Sequence, residues 1–169
     1  TFVIGASADD SFVMDIAGGS KDGGANVQLS AATGAASQRF KFIPQDGRYY
    51  VIQNVNSGRN LNVANNSLAD GANLMQYKQS DTPDGDNELW SLIPHYDGTY
   101  SIVSKLSGKH IDLDGNKLET GTNIQLWAPN YDEVKPNVRW TLNPHTHSYE
   151  DTVTAPTCAA QGYTTHTCT

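Results

Sequence analysis

The sequence predicts an all-β domain with three-fold internal symmetry, and three observations predict it. Blocks of residues recur at a spacing of about 50, the apolar residues alternate or form runs too short for helices, and Gly, Asn and Asp punctuate them roughly every 8–12 residues. No window carries a helical apolar stripe.

The clearest block reads Gln38-Arg39-Phe40-Lys41-Phe42-Ile43-Pro44, then Glu88-Leu89-Trp90-Ser91-Leu92-Ile93-Pro94, then Val138-Arg139-Trp140-Thr141-Leu142-Asn143-Pro144, with a step of 50 residues each time. A second reads Gly24-Ala25-Asn26-Val27-Gln28-Leu29, Gly71-Ala72-Asn73-Leu74-Met75-Gln76 and Gly121-Thr122-Asn123-Ile124-Gln125-Leu126. A third reads Val13-Met14-Asp15-Ile16, Asn60-Leu61-Asn62-Val63 and His110-Ile111-Asp112-Leu113. From Asp15 to Asn62 the step is 47, and the missing residues fall between Ser30 and Ser37. The repeats thus share strands and differ in loop length, since loops absorb insertions most easily.

Each unit reads as about four short strands, among them Phe40-Lys41-Phe42 and Tyr100-Ser101-Ile102-Val103. Asp46-Gly47 and Asp97-Gly98 fall between strand pairs, where a two-residue hairpin turn requires positive φ. Propeller blades of this length need at least four copies to close a ring. Three copies with short hairpins suit a three-fold barrel capped by hairpins. Phe2-Val3-Ile4 matches Tyr50-Val51-Ile52 and Tyr100-Ser101-Ile102, whereas no such strand follows Trp140-Thr141-Leu142. The N-terminal strand is therefore predicted to fill that place and remove an open edge. The domain is expected to span 1–144, with repeats at 12–56, 57–106 and 107–144 plus 1–11. Residues 145–169 are expected to be a linker and the start of a second module.

Hydrophobic residues make up 37% of the 169 and charged residues 17%, a balance that fits a soluble, turn-rich domain. A net charge of −7 with no Lys/Arg cluster argues against nucleic acid, whose phosphates it would repel. No run of about 18 apolar residues is present to span a membrane. The chain starts without Met or a signal peptide, so it reads as a segment of a larger protein. Both cysteines, Cys158 and Cys168, lie near the end, which leaves the body of the domain to be held by packing.

The aromatic-terminated motifs Gln38-x-Phe40, Glu88-x-Trp90 and Val138-x-Trp140, the strands of Leu-Asn/Asp-Val type, and Asn123-Ile124-Gln125-Leu126-Trp127 together resemble ricin-B-type lectin repeats. The resemblance covers about residues 1–144. It implies a β-trefoil fold, closed by the N-terminal strand and followed by a short C-terminal extension, and a carbohydrate-binding module of the kind found in plant toxins and on secreted bacterial glycosidases. The Gln-x-Trp signature is degenerate, kept as Gln-x-Phe once. Its aromatics are core residues in the family, so the change bears little on binding.

In such repeats an early Asp, a Gln, a stacking aromatic two residues on, and an Asn three residues before the core Trp form the sugar site. The resemblance therefore places a site at Asp112, Gln125, Trp127 and Asn137 in the third repeat. The second repeat supplies Asn62, Met75, Tyr77 and Asn87, a weaker or altered set. The first supplies Asp15, Gln28, Ser30 and Ser37, with neither ring nor Asn, and is expected to be silent. The chemistry suits these residue types. An indole or phenol ring covers the C–H face of a pyranose, a carboxylate accepts from two neighbouring hydroxyls, and amides donate and accept at once. The implied partners are glycans, with galactose or N-acetylgalactosamine favoured, bound by a monomeric module of a secreted or cell-surface chain. No cofactor is implied.

Asp112-x-Asp114-Gly115-Asn116 lacks the Gly spacing and terminal Glu of a calcium loop. Asp112 and Asp114 are expected on one strand with no separate acid and base environments, and no Gly-x-Ser-x-Gly motif occurs, so the module is read as non-catalytic. A structural or protein-interaction trefoil with decayed sugar sites is the rival reading.

From His145 onwards, His145-x-His147-x-Tyr149, Ala155-Pro156-Thr157-Cys158 and Gly162-Tyr163-Thr164-Thr165 are similar to a repeated module of surface proteins from Gram-positive bacteria. Its Cys and His residues leave three states open: a Zn²⁺ site, a Cys158–Cys168 disulfide, or free thiols.

Overall fold

The structure, a computed structural model, describes residues 1–129 and 135–145 in full, and beyond them the backbone of two strands. Twelve strands build the main sheet system. They are β1 (Phe2–Ala6), β2 (Asp9–Ile16), β3 (Val27–Ala31), β4 (Phe40–Pro44), β5 (Tyr49–Asn54), β6 (Leu61–Val63), β7 (Ala72–Gln76), β8 (Trp90–Pro94), β9 (Tyr100–Ser104), β10 (His110–Leu113), β11 (Ile124–Trp127) and β12 (Trp140–Pro144). No α-helix occurs among the described residues, and none is long and apolar enough to cross a membrane. Two further strands, β13 (Tyr149–Thr154) and β14 (Tyr163–Cys168), pair antiparallel as a separate hairpin.

Six strands close a barrel, through the pairs β1–β4, β4–β5, β5–β8, β8–β9, β9–β12 and β12–β1. The expected use of the N-terminal strand holds residue by residue. Phe2 faces Pro144 and Ile4 faces Leu142, just as Tyr50 faces Pro44 and Ile52 faces Phe42, and as Tyr100 faces Pro94 and Ile102 faces Leu92. The hairpins β2–β3, β6–β7 and β10–β11 cap one end of the barrel. The fold is a β-trefoil.

The period-50 aromatics lie in the core. Phe40, Trp90 and Trp140 are all buried, packed among Ile4, Ile52, Ile102, Leu61 and Ile111. A buried indole N–H needs an acceptor. Trp90 Nε1 donates to the Leu61 carbonyl at 3.2 Å and Trp140 Nε1 to that of Ile111 at 3.1 Å. Phe40 carries no such donor and makes the same packing without the bond.

The Asp-Gly turns differ from the two-residue form. The 95–99 loop starts with a β-turn in which Gly98 N–H donates to the His95 carbonyl at 3.1 Å, and it closes with His95 N–H on the Thr99 carbonyl at 2.9 Å. Only the glycines take positive φ, Gly47 at +76° and Gly98 at +82°. A longer loop built on one left-handed residue satisfies the strand twist as well as a two-residue turn with two such residues.

The cap hairpins meet on the pseudo-three-fold axis through three asparagines. Asn26 Nδ2 donates to Asn123 Oδ1, Asn123 Nδ2 to Asn73 Oδ1, and Asn73 Nδ2 to Asn26 Oδ1, each at 2.9 Å. The ring closes on itself. Each asparagine also sits in a β-bridge with the next repeat: Asn26 with Met75, Asn73 with Gln125 and Asn123 with Gln28. Asn123→Ala is expected to lower stability by about 1–3 kcal/mol, because it strands one donor and one acceptor in a part-buried site. Adding Asn73→Ala should cost less than the first substitution, since the ring is already open. Denaturant unfolding of the single and double variants measures both.

Candidate functional site

The β10–β11 hairpin brings the third-repeat residues together through its register. Asp112 faces Gln125 and His110 faces Trp127, so these four side chains share one face of the hairpin, while Ile111 and Leu126 fill the core on the other. After Leu113 the chain enters a tight turn in which Gly115 and Asn116 take φ of +60° and +55°. The equivalent pairs Gly18-Gly19 and Asn65-Asn66 do the same, and Gly and Asn are the residues that adopt this conformation at least cost. Asn137 arrives from the short turn Pro136–Val138 that precedes β12.

The result is a cleft of about 440 Å³ lined by Asp112, Asp114, Gln125, Trp127, Lys135 and Asn137, with Gly115, Ala128 and Val138 completing its walls. Its volume falls in the range of small-ligand pockets, roughly 300–1,000 Å³. All four residues carried over to the third repeat line it. Trp127 is 46% exposed, against 0% and 1% for Trp90 and Trp140, so its indole is the free ring among the three.

Asp112 is the buried polar centre of the cleft. Gln125 Nε2 donates to its Oδ1 at 3.4 Å, and the Asn137 amide donates to Oδ2. Burial lifts its carboxyl from 3.8 to about 6, and the charge of Asp114 adds to the rise. The Gln125 and Asn137 amides and the Lys135 ammonium pull the other way without cancelling it. His110, opposite Trp127, is also buried, and burial, with the positive charges of His95 and Arg139, lowers its pKa.

The expectation that Asp112 and Asp114 share a strand and an environment is corrected. Asp114 lies past the end of β10 in the tight turn and is exposed, whereas Asp112 is buried. The Gln125 amide bridges them, since Nε2 also reaches Asp114 Oδ1 at 3.3 Å. Among the described residues no cluster of His, Cys, Asp or Glu is placed to hold a metal ion. Cys158 and the side chain of Cys168 lie outside the described residues, and with them the zinc and disulfide readings.

The second repeat keeps a carboxylate, but from a different position. Asn62 and Asn60 donate to Glu88 Oε1 and Oε2 at 3.3 and 3.2 Å, and Asp84 N–H adds a contact of 3.4 Å to Oε2. Glu88 is 2% exposed, and its two oxygens accept these three contacts. Tyr77 is 56% exposed and Asn87 half-buried beside this arrangement. In the first repeat the polarity is reversed, with Gln38 Nε2 donating to Asp15 Oδ2 at 3.1 Å. Gln38 and Glu88 are equivalent, as are Asp15 and Asn62, so acid and amide have exchanged places across one hydrogen bond. The first repeat offers Ser30, 7% exposed, where the others have a ring.

The ricin-type β-trefoil lectin domain-like family matches residues 1–77 and 75–127, and the chain belongs to it. Among solved structures it is similar to ThreeFoil, a designed 3-fold symmetric protein, at 28% identity and a TM-score of 0.78, covering 85% of this chain and 98% of that one. It is also similar to 1,3Gal43A, an exo-β-1,3-galactanase from Clostridium thermocellum, at 32% identity and a TM-score of 0.76 over 84% of this chain. The match spans 29% of the galactanase chain. The Macrolepiota procera ricin B-like lectin, solved with lactose, shares the fold at 19% identity and a TM-score of 0.67, over 84% of this chain and 93% of that one. No curated protein matches the chain.

The raised pKa of Asp112 ties the cleft to pH. Between the unfolded value near 4 and the folded value of about 6 the native state holds a proton that the unfolded chain has released. Stability from this group is therefore present below pH 4 and is lost as pH rises through 6. Asp112→Asn is expected to remove that dependence and to be the more stable protein at pH 7, as read from unfolding midpoints between pH 4 and 7.

Proposed function

We propose that the domain binds galactose-type glycans without catalysis, and that the third-repeat cleft is its main site. The observation that carries the reading is the half-exposed Trp127 indole standing over a cleft whose buried centre is one carboxylate held between two amides. An indole face covers pyranose C–H groups, and the Asp112 carboxylate accepts from adjacent hydroxyls once Gln125 and Asn137 have oriented it. The family favours carbohydrate as the ligand, and similarity to part of a β-1,3-galactanase supports galactosyl units. Tyr77, Asn62 and Asn87 form a second and weaker site, because Asn62 and Met75 stand where the third repeat has Asp112 and Gln125.

On this reading residues 1–144 act as a monomeric binding unit of a larger secreted or cell-surface chain, and bring that chain to glycans. The similarity of the tail to modules of Gram-positive surface proteins supports that setting. Weak binding at one site gains strength from several sites or copies.

A glycan array with the intact chain and its Asp112→Ala and Trp127→Ala variants tests the proposal. Binding to galactosyl glycans should be lost in both variants, by at least about 2 kcal/mol each, as for truncation at a desolvated hot spot. Survival in both would move the site to Tyr77, and no binding at high density would favour a structural trefoil.

Affinity should also fall in acid. A protonated Asp112 donates one bond and accepts poorly, so galactoside binding is expected to weaken as pH drops through about 6. Titration calorimetry at pH 5 and pH 7.5 would show it, and equal affinities would exclude Asp112 as a hydroxyl acceptor.

A further inference from the structure

The turn between β6 and β7 belongs to the second repeat, yet it grips the third-repeat cleft on both sides of Trp127. Gly71 N–H donates to the Leu126 carbonyl at 2.8 Å, and Ala128 N–H donates to Asp70 Oδ1 at 2.9 Å. The peptides before and after the indole-bearing residue are both held by this one turn. Gly71, at φ +80°, lies so close that a Cβ on it would sit 3.9 Å from Trp127 Cζ3 and 3.7 Å from Gln125 Oε1. Asp70 is itself held by Lys109, the residue before β10, so the turn is tied to both strands of the third cap hairpin.

The other repeats show what is particular here. The first bond recurs in all three, as Gly24 N–H on the Gln76 carbonyl at 2.7 Å and Gly121 N–H on the Leu29 carbonyl at 2.9 Å. The second depends on the side chain before the glycine. Thr120 Oγ1 accepts from Ala31 N–H at 3.1 Å, beside the ringless first repeat. Gly23 has no side chain to offer, and there Arg59 Nη1 takes the Tyr77 carbonyl at 2.6 Å instead. Only the turn beside Trp127 presents a carboxylate to the peptide that follows the ring position.

We propose that Asp70 is a positioning residue for sugar binding in the third repeat. By fixing the peptide after Trp127 it sets the indole over the cleft, so that the second repeat supplies part of the third repeat's site. This rests on the reading of the cleft as a glycan site. A surface ion pair with Lys109 would by itself contribute little, and such a pair alone would leave the indole unaffected.

Asp70→Ala and Asp70→Asn separate the two roles, because Asn keeps an Oδ1 acceptor for Ala128 but loses the charge that pairs with Lys109. The first readout needs no ligand. The ¹⁵N relaxation of the Trp127 indole N–H, assigned by its loss in Trp127→Phe, reports ring motion on the picosecond-to-nanosecond scale. Asp70→Ala should loosen the indole and weaken galactoside binding about three- to tenfold, as expected for one hydrogen bond. Asp70→Asn should restore both. An indole as rigid in Asp70→Ala as in the wild type, or a loss in Asp70→Asn equal to that in Asp70→Ala, overturns the proposal. Failure of the glycan reading would show separately, as wild-type protein that binds no galactosyl glycan.

Discussion

The closed ring of Asn26, Asn73 and Asn123 is the constraint on which the cap of the molecule depends. Three amides that each donate to the next and accept from the last leave no freedom in how three hairpins meet. A hairpin that slipped by one residue would turn its asparagine away and bring an apolar side chain to the axis. The same asparagines are bridged through the backbone to Gln28, Met75 and Gln125 of the neighbouring repeats. Position on the axis therefore fixes position at the periphery, where Gln125 meets Asp112. A polar triad at the centre of an apolar assembly contributes specificity of arrangement more than bulk stability.

Within that frame the repeats have diverged in the groups that do not touch the axis. The exchange of Asp15 and Gln38 for Asn62 and Glu88 preserves one hydrogen bond while moving the charge from one strand to another. The third repeat makes neither choice: Val138 removes the partner, and Asp112 turns to Asn137 and Gln125 instead. That apolar substitution leaves the carboxylate at the floor of a cleft, held by amides that line the same cleft.

Most of the architecture was legible in the sequence because repetition carries it. The spacing of 50 between Phe40, Trp90 and Trp140 marks equivalent core positions, and the missing strand after Leu142 pointed to Phe2-Val3-Ile4 as its replacement. The third-repeat residues were legible from the pattern of their family. What escaped lies in contacts between repeats and in pairs read singly. Asn62 alone looks like a lost acid, and only the simultaneous change of Gln38 to Glu88 across repeats signals that the charge has moved. The amide ring could have been suspected from the invariant place of Asn26, Asn73 and Asn123, but its closure depends on geometry. Asp70 leaves no trace, because Gly23 and Thr120 at the equivalent positions share nothing with it. The Asp-Gly turns misled because one positive-φ residue serves loops of more than one length.

The closing strand has a mechanical consequence. β1 and β12 run antiparallel, so residue 2 and residue 144 lie at the same end of the pair, Phe2 opposite Pro144. Tension applied between the N-terminal side and the segment that continues past Pro144 would load these hydrogen bonds one after another, from Phe2 towards Ala6, and would not shear the ladder as a whole. Peeling of this kind yields at low force. A chain anchored through this junction would open its barrel at the seam before its cap hairpins, with their amide ring at the other end of the load path, were disturbed.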